Sequence, residues 1–119
     1  MNRIDVLSVP VSDQQRAKEF YLKMGLHIVV EAPFQGDQLW IQMGFPKGET
    51  TITLVTWFPK MPAGSLQAAV INTDDIAGDI KKLTANCIEV GKIDDTPWGK
   101  FASIEDPDGN TWSLNQKNA

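Results

Sequence analysis

Between Ile4 and Val11 the side chains alternate, with Leu7, Val9 and Val11 on one face and Val6 and Ser8 on the other, so this stretch is predicted to be a strand. Ser12-Asp13-Gln14-Gln15 then gives the S-x-x-Q spacing of a capping box, and a helix is expected to start there. Ala17, Phe20, Tyr21 and Met24 recur at helical spacing until Gly25 supplies a stop. Strand-like segments follow at Leu26 to Glu31, Gln38 to Met43 and Thr50 to Trp57, separated by Pro33, Gly36, Pro46 and Gly48. The same order then returns. Leu66 to Thr73 alternates, and Thr73 or Asp74 caps a helix carrying Ile76, Ile80 and Leu83. That helix is expected to stop at Asn86, a residue that tolerates the left-handed conformation. Strands are predicted at Cys87 to Lys92, Phe101 to Glu105 and Thr111 to Gln116. Pro107 and Gly109 in DPDGN suit a tight turn that fixes the register of the last of these.

Both halves thus read β-α-β-β-β, an internal repeat marked by the match of Val11-Ser12-Asp13 with Thr73-Asp74-Asp75. The organisation that follows is a first module at residues 1–58, a linker at 59–64 and a second module at 65–119, together one domain.

Composition narrows the function classes. A net charge of −4 argues against a phosphate-backbone partner, so no nucleic acid is expected. No apolar run approaches the roughly 18 residues that a membrane span needs, so no membrane partner is expected either. The single cysteine, Cys87, cannot form an intrachain disulfide, and the N-terminus has no signal-peptide pattern; a cytoplasmic protein is expected.

Three segments, SVPVSDQQRAKEFYLKMGL, TDDIAGDIKKL and above all DTPWGKFASIEDPDGNTWSL, resemble the vicinal oxygen chelate superfamily, which includes glyoxalases, bleomycin-resistance proteins and extradiol dioxygenases. The resemblance covers essentially the whole chain. It implies an α+β fold in which two βαβββ modules form a curled mixed-sheet cup, with helices on the convex side and the site in the concavity. It also implies a homodimer, in some relatives with modules exchanged between chains. In metal-dependent members it places four ligands at positions that here are Val6, Thr53, Ala68 and Ser113. Val6 and Ala68 have no donor atom and the other two offer only neutral hydroxyls, so no metal and no other cofactor is expected. A slip of one residue would bring in Asp5 and Gln67, but it would turn Leu7, Val9 and Val11 away from the helix.

The remaining chemistry-bearing residues add little. The sole histidine, His27, begins the second strand away from the family's ligand positions and reads as solvent-facing or structural. Cys87 is expected as a small buried residue past the second helix. Asp94-Asp95 reads as a solvated loop and Gly44 to Gly48 as a turn without phosphate-loop spacing. Nothing has the G-x-S-x-G context of a serine nucleophile.

The face opposite the helices is the informative one. If Leu39, Ile41, Met43, Ile52, Leu54, Trp112 and Leu114 pack on the helices, the cup is lined by Val6, Ser8, Trp40, Gln42, Thr53, Trp57, Ala68, Val70 and Ser113. That lining suits a flat or aromatic small-molecule ligand held by stacking and oriented by hydroxyls and amides. Three classes remain: a metal-free binding protein, a metal-dependent lyase, epimerase or dioxygenase with unrecognised ligands, and a metal-independent enzyme or interaction module whose cup shows no catalytic residue. The tryptophans read alternatively as filling a closed core or a dimer interface. The missing ligands and the aromatic lining favour the first.

Overall fold

The computed structural model describes residues 1–118. The elements run β1 (Val6–Pro10), α1 (Gln14–Met24), β2 (His27–Pro33), β3 (Leu39–Gly44), β4 (Thr51–Val55), β5 (Ala69–Asn72), α2 (Ile76–Ala85), β6 (Asp94–Thr96), β7 (Gly99–Glu105) and β8 (Thr111–Gln116). They form two four-stranded sheets, ordered β1-β4-β3-β2 and β5-β8-β7-β6. In each sheet the module's first strand lies parallel to its last, and the other pairings are antiparallel. The α+β architecture and the repeated βαβββ order are those expected from the side-chain pattern.

Local chemistry sets the boundaries. α1 is capped by the Asp13 carboxylate, which accepts from the backbone N–H groups of Gln15 and Arg16, while Gly25 leaves the helix at φ 110. The cap of α2 is Asp75, not Thr73 or Asp74, because its carboxylate is the one that reaches the Gly78 N–H. Asn86 ends α2 at φ −93, and it is Cys87, at φ 64, that takes the left-handed turn. Cys87 is accordingly exposed rather than buried. The expected strand from Cys87 to Lys92 reduces to one bridge between Val90 and Ile104. The second strand of the second module is instead Asp94–Thr96, the segment expected as a loop, which is paired through its backbone to β7 while both aspartates stay in solvent. β5 begins later than its alternation suggests, because Ala68 at φ 56 interrupts the extended backbone.

The inner faces of both sheets and both helices share one hydrophobic cluster, which includes Val9, Ile41, Ile52, Leu54, Ile76, Ile104, Trp112 and Leu114. Neither module buries its apolar face alone. A polar clasp crosses the shared core: Tyr21 of α1 donates to Asp106 at 2.7 Å, and the indole N–H of Trp112 donates to the Tyr21 hydroxyl at 2.9 Å. The Asp106 carboxylate also receives the N–H groups of Asp108 and Asn110, and the Asn110 amide reaches the Pro10 carbonyl at the end of β1. Burial and the neighbouring Asp106 charge push the Tyr21 hydroxyl far above the usual tyrosine range. No helix among the described residues is long and apolar enough to cross a membrane.

Candidate functional site

Because Ile52 and Leu54 point into the shared core, Thr51, Thr53 and Val55 on the same strand must point out. Strand register extends that outward face as rows across the first sheet. Ser8 sits beside Thr53, which sits beside Gln42, which sits beside Val30. Val6 pairs with Thr51, and Trp40 pairs with Ala32. Over one end lies an aromatic group. The ring centroid of Phe34 is 5.7 Å from Trp40 and 4.9 Å from Trp57, and Phe58 lies 6.1 Å beyond Trp57. Phe34 is 42% and Phe58 46% exposed, so ring surface remains toward solvent for a further planar group.

The polar groups on this face are already ordered. Gln42 accepts from the Trp40 indole N–H at 3.1 Å and donates to the Thr51 hydroxyl at 2.8 Å, which in turn donates to the Asp5 carbonyl. The Ser8 and Thr53 hydroxyls face each other at 3.5 Å. Trp40 therefore presents its ring face rather than its N–H, and its orientation is fixed through Gln42.

In the second sheet, Trp112 and Leu114 are buried in the shared core, so Ser113 points outward. Val70 pairs with Ser113 and is 60% exposed, and Ser103 pairs with Ser113 from the other side. The same face carries Phe101, Glu105 and Asp94, placed by their pairings with Asn115, Thr111 and Phe101. Trp98, at the turn after β6, is 78% exposed and is held there by its backbone N–H bond to Thr96.

The chain gathers these residues as two groups. Val6, Ser8, Trp40, Gln42, Thr53 and Trp57 belong to the first module, with Thr53 only 1% exposed beneath its neighbours. Val70 and Ser113 belong to the second, and Ala68 lies just before β5 with its N–H bonded to the Thr111 hydroxyl. Each outward face points away from the core that the modules share, so the two sheets do not close on one another within one chain. Phe34 was not legible as part of the lining because it follows the end of β2, where strand alternation no longer applies; Trp98 lies in the quoted PWG segment but outside any strand.

The donor set does not fit a metal ion. Val6 and Ala68 have no side-chain donor, Thr53 already faces Ser8, and Ser113 offers only a neutral hydroxyl. Among the described residues no group of three or more His, Cys, Asp or Glu side chains is placed to hold one.

Against known proteins, residues 3–114 match the family model described as glyoxalase/bleomycin resistance protein/dioxygenase superfamily. An uncharacterized Bacillus subtilis (strain 168) protein, YetH, is 33% identical over 98% of this chain and 99% of its own length. The crystal structure of TnmS3, an antibiotic binding protein from Streptomyces sp. CB03234, superposes with a TM-score of 0.92 at 38% identity, covering 99% of this chain and 98% of that one. A glyoxalase/bleomycin resistance protein from the same Streptomyces strain superposes with a TM-score of 0.86 at 39% identity, over 96% of this chain and all of that one. The repeated βαβββ modules, their sheet order and these matches along nearly the whole length agree: the chain belongs to the glyoxalase/bleomycin resistance protein/dioxygenase superfamily.

Proposed function

We propose that this chain binds a flat, aromatic small organic molecule without a metal, and so sequesters rather than transforms it. The observation that carries the reading is the aromatic group of Phe34, Trp40 and Trp57 on an outward sheet face whose polar side chains are already ordered. A preset face of this kind stacks a planar ligand at little conformational cost. The 38% identity to an antibiotic binding protein supports the same reading.

The binding cup is completed by a second copy. β1 and β5 are open edges of their sheets, and exposed Val70 lies on β5. Joining β1 of one copy to β5 of another sets the Trp40 face against the Ser113 face, which a single chain keeps apart. The working state is then a homodimer in the cytoplasm, where the lone Cys87 stays reduced.

A thermal-stability screen against aromatic antibiotics and metabolites tests the reading, with tryptophan fluorescence as a second readout. A true ligand at 100 times its dissociation constant stabilises the fold by about 2.7 kcal/mol and quenches the emission. Light scattering should return twice the 13.2 kDa chain mass. A panel that moves neither melting temperature nor emission, on a chain that stays monomeric at micromolar concentration, overturns the proposal.

A further inference from the structure

The sole histidine stands on the aromatic face, and the backbone puts it there. Continuing regular alternation back from Val30, which pairs with outward-facing Gln42, would turn His27 toward the core. The register shift between Ile28 and Val30 inserts Val29 as an extra residue and reverses that parity. His27 consequently pairs with Gly44, Gly44 with Thr51, and Thr51 with Val6, one row across the outward face. The imidazole rests on Gly44: a β-carbon there would lie 3.0 Å from both Cε1 and Nε2 of the ring. Gly44 has no positive φ, so what this position uses is the missing side chain. An inserted residue that aims the ring and a glycine that seats it are two independent features serving one side chain.

Resting on the aromatic-ligand reading above, we propose that His27 is the hydrogen-bonding anchor of this face, and that the ligand is an elongated flat aromatic carrying an acceptor oxygen at one end. Gly44 lies four residues beyond Trp40 on β3, which at 3.3 Å per residue separates the two stations by about 13 Å. A ligand stacked at Trp40 reaches His27 only if it is several fused rings long. Imidazole has at least one N–H to donate in every tautomer and charge state, so an acceptor oxygen is the partner it can always bind. The paired strand positions of this face contain no lysine or arginine and the chain is net −4, which favours a neutral carbonyl over a carboxylate.

The probes are 2-acetylanthracene, 2-ethylanthracene, which has the same shape without the oxygen, and the shorter 2-acetylnaphthalene, each titrated by tryptophan quenching. The parent should prefer the acetyl over the ethyl anthracene about fivefold, the value of one net hydrogen bond. The preference should vanish in His27→Ala, persist in part in His27→Gln, whose amide still donates, and fall in Gly44→Ala, which unseats the ring. The naphthalene ketone should bind the parent and His27→Ala equally. Absence of the preference in the parent, its survival in His27→Ala, or equal loss of the short probe in that variant overturns the inference. Quenching by 2-ethylanthracene without an acetyl preference removes only the role of His27, whereas no quenching by any probe removes the aromatic-ligand reading with it.

Discussion

The two modules share an element order and differ in what they present to solvent. Their inner faces are alike, apolar and buried in one core. Outward, the first carries Trp40, Trp57, Phe34 and an ordered amide, whereas the second carries Ser113, Ser103, Val70 and Phe101 with the carboxylates of Glu105 and Asp94. The difference teaches where the repeat is constrained. Positions that pack against the other module must keep volume and polarity, because a cavity or an orphaned polar group there costs the whole fold. Positions on the outward faces carry no such requirement and have diverged into a half with a clustered aromatic group and a mixed half that carries carboxylates.

The comparison breaks most severely if the inner faces are uncoupled. Asp106→Ala strands the Tyr21 hydroxyl, the Asn110 amide and two backbone N–H groups in a buried site, and should cost about 3 kcal/mol or more in urea unfolding. A loss below about 1 kcal/mol would mean that the clasp does not couple the modules.

Next in size is an alkaline effect of the same clasp. Tyr21 holds its proton in the folded chain well above the range at which an unfolded tyrosine releases it. Its contribution is therefore fully present below about pH 10 and is lost as pH rises beyond, at up to about 1.4 kcal/mol per pH unit. Tyr21→Phe should be less stable at neutral pH yet show a shallower decline above pH 10; parallel declines would contradict the assignment.

The outward faces separate in binding rather than stability. Trp40→Ala should weaken an aromatic ligand by more than about 1 kcal/mol, whereas Ser113→Ala should change affinity by under about 0.5 kcal/mol, both read by isothermal calorimetry. Equal losses would place the ligand evenly across the two faces. Loss of folding in Trp40→Ala, with no ligand found for the parent, would make the aromatic group a core.

The smallest expected effect compares the ends of the helices. The first module turns out of α1 through Gly25, while the second uses Cys87 at φ 64 for the same purpose. Cys87→Gly should therefore stabilise by up to about 1 kcal/mol, and Gly25→Ala should destabilise by a similar amount, both in thermal melts.

Much of this architecture is legible from side-chain periodicity, because the core imposes it. Ala17 and Tyr21 face the core as their helical spacing requires, and Ile41, Met43, Ile52 and Leu54 do so by strand alternation. Legibility stops where the backbone departs from regular geometry. The positive φ values of Ala68 and Cys87 belong to residues that give no warning of them, so β5 starts late and the expected strand after α2 collapses to a bridge. The outward placement of Trp40, Gln42, Val70 and Ser113 follows from parity alone. That the two outward faces turn away from each other does not, since alternation reports which side of its own sheet a residue occupies and nothing about the other sheet.

The extra residue in β2 has a consequence for solubility. β2 is the outer edge of the first sheet, and Ile28, Val29 and Val30 are all substantially exposed along it. A regular apolar strand in that position would offer another chain a template for open-ended growth into aggregates. The bulge at Val29 breaks the spacing of the unpaired backbone groups and twists the edge away from a flat partner. Growth at β2 is thereby discouraged at the edge where three adjacent branched aliphatic residues are exposed.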